Sequence, residues 1–292
     1  MKIIPGPASE QLAGKIAELS GLKTVPLSCR TYPDGEFYVR LEAAVEGEEV
    51  AIVQTTSPPQ DTRILQLALI ADAARRNHAK RITAVVPYLA YARQDKMFLH
   101  GEAISIEAVA RMLKAAGVDS LLTVNVHQEE VLRRFPFPAR MVSAIPLLSE
   151  YFKRKGFEKV FTLAPDDGAQ WLVEEAKTIL GGESGYLEKK RDLQTGQLTM
   201  KEKQLNVCEK TVIIFDDVIS TGGTIALAAR AMFDHGANAV YVACVHPLLV
   251  GGAEKRIFET GVREIVGTDS VASHVSRVSL APLLSKEIGK GV

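Results

Sequence analysis

Short apolar, β-branched runs alternate along the chain with longer stretches whose apolar residues return every three or four positions. The strand-like runs are VAIVQ (50–54), RITAVVP (81–87), SLLTVNV (120–126), KVFTLAP (159–165), TVIIF (211–215) and AVYVAC (239–244). Helical periodicity covers 61–77, 104–116, 145–155, 168–180 and 225–235. This alternation predicts α/β units with mainly parallel sheets flanked by helices. The opening MKIIPGPASEQLAGKIAEL reads as a short strand, a turn and an amphipathic helix. LSCRTYPDGEFYVRL breaks the rhythm: two short strands flank Pro33-Asp34-Gly35, a turn signal, and predict a hairpin projecting from the first sheet.

Three prolines in FPFPARMVSAIP interrupt the pattern and mark a domain boundary. It splits the chain into 1–140 and 141–275, each half being about 140 residues, an ordinary domain size. Both halves contain strand–loop–helix units, yet the letters show no clean repeat. Residues 183–210 are polar and weakly patterned, which suits a loop or flap between strands.

Composition removes several classes of function. The chain has 292 residues, with Lys plus Arg and Asp plus Glu at 35 each. A net charge of zero gives no electrostatic footprint for nucleic acid. No apolar run is long enough to cross a bilayer, and the N-terminal segment lacks the charged and apolar regions of a signal peptide, so a cytoplasmic location is expected. Cys29, Cys208 and Cys244 are isolated and form no C-x-x-C pair, so they are expected to be buried core thiols rather than a disulfide or zinc set.

The strongest chemistry lies in VIIFDDVISTGGTI, residues 212–225. An apolar strand meets Asp216 and Asp217; Ser220, Thr221, Gly222, Gly223 and Thr224 follow, and a helix begins. Strand, loop and helix in that order aim backbone N–H groups at an anion. Acids beside such a nest would repel a bare phosphate. They are in place if the ligand also brings hydroxyls or shares a metal, and a sugar phosphate with Mg²⁺ does both.

This segment resembles the phosphoribosyl diphosphate motif of type I phosphoribosyltransferases and ribose-phosphate diphosphokinases. The resemblance implies that Asp216 and Asp217 meet the ribose hydroxyls and that the amides of Ser220 to Thr224 hold the 5-phosphate. Many members carry a third Asp where Ser220 stands, and a serine is no base at neutral pH. PYLAYARQDKMF (87–98) resembles the Y-A-R-Q-D segment of the diphosphokinases, which ordinary phosphoribosyltransferases lack, and so assigns Arg93 and Gln94 to an ATP site. An Arg fork suits it, since it pairs with phosphate oxygens and stacks on a base. TYPDGEF (31–37) resembles the family's F-x-D-G-E adenine hairpin, with Tyr32, Asp34, Gly35 and Glu36 contributing.

Further segments keep the family's order. His127 in VNVHQEE matches a metal–nucleotide histidine, with Asn125 where an Asp is usual. In LAPDDGAQW, Asp166 matches a metal-associated Asp, while Asp167 suits a plain helix N-cap. YLEKKRDLQ matches a flap whose K-x-R pair, here Lys189 and Arg191, closes over the reacting polyphosphate and stabilises its shifting charge. Arg191 also falls to the ribose 5-phosphate side. The tail, 276–292, resembles a C-terminal strand and helix that pack back onto the first domain.

The resemblance therefore implies two phosphoribosyltransferase-like domains. Its reaction moves the diphosphoryl group of ATP to the anomeric hydroxyl of ribose 5-phosphate with Mg²⁺, giving 5-phosphoribosyl 1-pyrophosphate and AMP. It also implies a homo-oligomer, at least a dimer, with the ATP site shared between subunits. No P-loop G-x-x-x-x-G-K-[ST] occurs to hold ATP otherwise. Two alternatives stay open: a phosphoribosyltransferase consuming the same diphosphate, and a non-catalytic regulatory or RNA-binding relative on the same scaffold.

Overall fold

The computed structural model describes residues 1–191, 198–201 and 205–290, with the backbone alone over 188–191 and 198–201. The chain divides into two compact units, Met1–Ser143 with Ser279–Val292, and Ala144–Val278. The first unit runs β1 (Lys2–Pro5), α1 (Glu10–Ser20), β2 (Lys23–Thr24), β3 (Leu27–Thr31), β4 (Phe37–Leu41), β5 (Glu49–Val53), α2 (Gln60–Arg76), β6 (Arg81–Val86), α3 (Ser105–Ala115), β7 (Ser120–Val124) and β8 (Ala139–Val142). The second runs α4 (Ile145–Arg154), β9 (Phe161–Ala164), α5 (Gln170–Leu180), β10 (Glu183–Tyr186), β11 (Glu188–Arg191), β12 (Leu198–Lys201), β13 (Thr211–Ile219), α6 (Gly223–Asp234), β14 (Ala239–Pro247), α7 (Ala253–Phe258), β15 (Ile265–Thr268) and β16 (Ser276–Val278). A final helix, α8 (Ala281–Ile288), returns to the first unit, where it packs on α1.

The repeat that the letters conceal is plain in the topology. The first sheet is ordered β2-β1-β5-β6-β7-β8 and the second β10-β9-β13-β14-β15-β16. Each inserts an antiparallel pair, β3–β4 or β11–β12, between corresponding strands. Strand pairing within both sheets is parallel throughout. The expected α/β class, two mainly parallel sheets flanked by helices, is borne out.

Burial explains which strands could be read. The runs in β5, β6 and β7 are almost wholly buried, as covered parallel strands must be. On one face of the first sheet Val50, Ile52, Ile82, Ala84 and Val86 pack with Leu67 and Ile70 of α2 and Ile106 and Leu113 of α3. In the second, Val212, Ile214, Val240 and Val242 pack with Ile225, Ala228 and Met232 of α6.

Several expectations are corrected. Residues 183–210 are not merely a loop, since β10 pairs with β9 and β11 with β12. The sequence ESGY hid a strand because β10 lies at the sheet edge, where Glu183 pairs with Lys210 at 2.7 Å. Gly185 is also required there, as a Cβ would stand 2.9 Å from the Phe161 ring. The division falls after Ser143 rather than 140, because β8 pairs with β7. The returning tail starts at Ser279 rather than 276, because β16 belongs to the second sheet. Of the three thiols only Cys244 is buried; Cys29 lies on an outward position of β3 and Cys208 in the turn before β13.

In each sheet the chain order reverses direction between two central strands, β1 and β5 or β9 and β13. The carboxyl ends at such a switch point form a ligand crevice. In the first unit Gln54 fills it. A Cβ on Gly6 would meet Gln54 Oε1 at 2.2 Å, and that oxygen accepts from the Ala8 amide at 3.0 Å. The second unit keeps a glycine loop and acids at the same place.

Burial, and then the nearby Asp216 carboxylate, push the Cys244 thiol well above its usual range, which holds it protonated. Iodoacetamide should modify Cys208 in the native chain and reach Cys244 only after unfolding. Mass spectrometry of the alkylated native protein checks this; modification of Cys244 at the Cys208 rate would contradict it.

Candidate active site

Strand β13 runs to Ile219, beyond the predicted 211–215, because its pairing with β14 continues to Ile219 opposite Pro247. The two acids therefore sit within the strand. Asp216 is half-buried and Asp217 only 7% exposed. Asp217 Oδ1 accepts from the Val218 amide at 2.9 Å. Asp216 is in register with Cys244, whose neutral thiol places no second negative charge beside it.

The loop after β13 has its carbonyls tied on one side. Ile219 O accepts from Leu249 N and Ser220 O from Val250 N, both at 3.0 Å, and Thr221 O accepts from the Arg256 guanidinium. In a planar trans peptide the N–H points opposite to its C=O. Each tie therefore turns the following amide, of Ser220, Thr221 or Gly222, to the other side. Gly222 has φ +75° and caps α6, whose first amides have no intrahelical acceptor. Together these donors make an anion cradle with the helix dipole behind it. The glycines do different jobs. A Cβ at Gly222 would stand 3.0 Å from Ala253 O, whereas one at Gly223 meets nothing within 4 Å.

Beside the loop, Asp166 follows β9, which pairs with β13 through Leu163 and Ile214. Its Oδ1 accepts from the Ala169 amide at 3.2 Å, so Asp166 is the helix cap. Asp167, expected to cap, accepts instead from its neighbour Gly168 at 3.0 Å, because a 3₁₀ turn over Asp167–Ala169 precedes α5. The backbone of Lys189 and Arg191 forms part of β11, and their side chains lie outside the described residues.

The first unit gathers the remaining candidates. On the β3–β4 hairpin, Tyr32 N donates to Glu36 O at 2.8 Å, and Gly35 N to Tyr32 O at 2.9 Å with φ +95°. Asp34 Oδ1 accepts from the Glu36 amide at 3.2 Å, so part of this carboxylate builds the turn. Arg30, unmarked in the sequence, lies 4.6 Å from the Tyr32 ring centroid and 4.8 Å from that of Tyr38, and bonds the Tyr32 hydroxyl at 2.6 Å. It steadies an exposed ring.

Arg93, exposed, and Gln94, half-buried, follow β6 in a loop held from beneath. The buried Thr56 hydroxyl donates to Tyr88 O at 2.7 Å and accepts from Ala90 N at 2.8 Å. Tyr91, at φ 65°, bonds Asp61 through its hydroxyl. His127 is exposed after β7, next to a fully buried Asn125 at φ 36°, a conformation Asn tolerates better than most residues.

Among the described residues no group of three or more His, Cys, Asp or Glu converges to hold a metal. The single carboxylates present, Asp166 and Asp216, are oxygen donors of the kind Mg²⁺ uses together with substrate phosphates and water.

Parallel sheets with an anion cradle and acids at the switch point define a phosphoribosyltransferase-type α/β protein, and residues 138–280 match the family model for the phosphoribosyl transferase domain. Residues 1–117 match the N-terminal domain of ribose phosphate pyrophosphokinase. The ribose-phosphate pyrophosphokinase of Methanosarcina acetivorans is 39% identical over 99% of this chain and 99% of its own. That of Saccharolobus solfataricus is 39% identical over 93% of each. A crystal structure of phosphoribosylpyrophosphate synthetase from Mycobacterium smegmatis superposes with TM-score 0.88 at 31% identity, covering 98% of this chain and 97% of that one. The chain belongs to the ribose-phosphate pyrophosphokinase family.

Gly222→Ala should cost stability, about 1–2 kcal/mol for a Cβ in the left-handed region before any clash with Ala253. Gly223→Ala should be neutral or stabilising by up to about 1 kcal/mol, as Ala outranks Gly in a helix. It should nevertheless weaken phosphate-ester binding, because a methyl at the first residue of α6 adds bulk beside the amides proposed to hold the anion. Urea midpoints and calorimetric titration with ribose 5-phosphate separate the two; full binding by Gly223→Ala would place the ligand elsewhere.

Proposed function

We propose that this chain transfers the β,γ-diphosphoryl group of ATP to the anomeric hydroxyl of ribose 5-phosphate, releasing 5-phosphoribosyl 1-pyrophosphate and AMP. The observation that carries the reading is the anion cradle of Ser220 to Thr224 beside Asp216 and Asp217, in a chain of this family. The cradle amides take the 5-phosphate. Asp216 and Asp217 receive the ribose hydroxyls, a role that a bare phosphate would not need. Tyr32 stacks on adenine, Asp34 and Glu36 accept from its amino group, and Gly35 lets the turn approach it. Arg93 and Gln94 take the nucleotide's polyphosphate.

In the second unit Asp166 is the proposed carboxylate holder of Mg²⁺, which when bound would neutralise phosphate charge; in the first unit His127 is proposed for the metal–nucleotide. In-line attack by the sugar oxygen on the β-phosphorus needs positioning and charge stabilisation more than covalent catalysis. Lys189 and Arg191 supply donors as charge moves to the leaving AMP, with Arg191 also reaching the sugar phosphate. We read the active form as a homo-oligomer in which the β3–β4 hairpin of one chain serves the site of its neighbour.

AMP formation from ATP, measured with and without ribose 5-phosphate and Mg²⁺, tests the reaction. AMP that requires both supports it; release of AMP or ADP indifferent to the sugar sinks it. Lys189→Ala and Arg191→Ala should each lower kcat by at least about 100-fold, about 3 kcal/mol, with smaller changes in KM. A kcat within tenfold of wild type in both variants removes the flap from the mechanism. Asp216→Asn should weaken ribose 5-phosphate binding and the response to Mg²⁺ together. Unchanged kinetics with lower thermal stability would make that acid structural.

A further inference from the structure

We infer that Arg256 is a positioning residue for the phosphate-binding loop, aligning its amides and setting a positive charge behind it. This rests on the proposed reading of Ser220 to Thr224 as the ribose 5-phosphate cradle. Arg256 lies on the short helix α7, which begins where Gly222 packs: a Cβ on Gly222 would stand 3.1 Å from both Ala253 Cβ and Ile257 Cδ1. The guanidinium donates through Nη1 to Thr221 O and more weakly through Nη2 to Gly251 O, at 3.4 Å. It therefore bridges the cradle and the loop that supports it.

Thr221 O and the Gly222 N–H belong to one planar peptide and point opposite ways. Holding the oxygen from behind aims that N–H forward. The preceding carbonyls are held by the Leu249 and Val250 amides. Leu249 adopts φ 48°, a conformation uncommon for leucine, while making its bond. A whole segment, 249–256, is thus shaped around the back of the loop, and Arg256 is its charged member. Among the described residues its guanidinium bonds carbonyls and makes no ion pair. A cation hydrogen-bonded to a peptide oxygen also polarises the N–H at the other end, which strengthens its bond to an anion.

Arg256→Met and Arg256→Lys, in the full chain, test the inference. Arg256→Met keeps most of the stem and removes donors and charge. It should raise KM for ribose 5-phosphate by about tenfold, the loss of a charge-assisted hydrogen bond, and leave KM for ATP within about twofold. Calorimetric Kd for ribose 5-phosphate alone should rise by the same factor, and Arg256→Lys should recover part of it. A merely structural role would lower the active fraction without moving Kd. Unchanged ribose 5-phosphate affinity in Arg256→Met, or equal loss for both substrates, overturns the inference. A wild type that binds ribose 5-phosphate but forms no AMP overturns the proposed function instead, and the Kd comparison still judges Arg256.

Discussion

A trans peptide cannot point its carbonyl and its amide the same way, and the site of the second unit depends on that rule. Nothing in the letters S-T-G-G-T forces their amides toward a ligand. The direction comes from the other side of the loop, where Leu249, Val250 and Arg256 occupy the carbonyls of Ile219, Ser220 and Thr221. Gly222 then turns through the left-handed region so that α6 can begin with its dipole on the same point. Donors fixed before the ligand arrives cost no reorganisation when it binds, which is where a preorganised site gains over water.

The two units show how one topology supports two outcomes. Both sheets have the same strand order and the same inserted hairpin. At the first switch point Gln54 reaches over Gly6, caps the Ala8 amide, and bonds Gln66 at 3.2 Å. The Gln54 side chain thus occupies the space over Gly6 and takes up the Ala8 amide that a phosphate would otherwise meet. The first unit's candidate residues have accordingly moved outward, to the hairpin and to the ends of β6 and β7. At the second switch point small residues and acids stand instead, where the ribose 5-phosphate site is proposed. The fold supplies the position, and the side chains at the strand ends decide what uses it.

What could be read from the sequence divides along physical lines. Strands β5, β6, β7 and β14 and the first half of β13 are covered on both faces, so they appear as predominantly apolar runs. The β3–β4 hairpin was legible because Pro33-Asp34-Gly35 is turn chemistry. Strands β2, β8, β10 and β16 are short or lie at or near a sheet edge, so their letters carry little apolar pattern. The acids and the glycine loop could be found because they are contiguous. Arg256 could not, since its partner Thr221 is 35 residues away and the helix carrying it is too short to show periodicity. Asp166 and Asp167 show a finer limit: the spacing allowed either to cap, and only the 3₁₀ turn decided between them. The cysteines misled because average burial of the residue type says little about a thiol on a hairpin or a turn.

Charge placement joins these observations into one argument. A carboxylate and a phosphate a few ångströms apart repel by about 4 kcal/mol at 4 Å in an effective dielectric of 20, so acids beside an anion site need compensation. Burial keeps the Cys244 thiol neutral next to Asp216, and Ser220 adds no third acid to the loop. Arg256 places a cation on the carbonyl side of the loop peptides, opposite the amides proposed to face the anion. Asp217 is withdrawn from solvent, which leaves Asp216 the more accessible of the pair. On the proposed reading, the acids then serve hydroxyls and metal while the loop meets the phosphate with amides and positive charge, so that a ligand carrying both kinds of group would be recognised at one strand end.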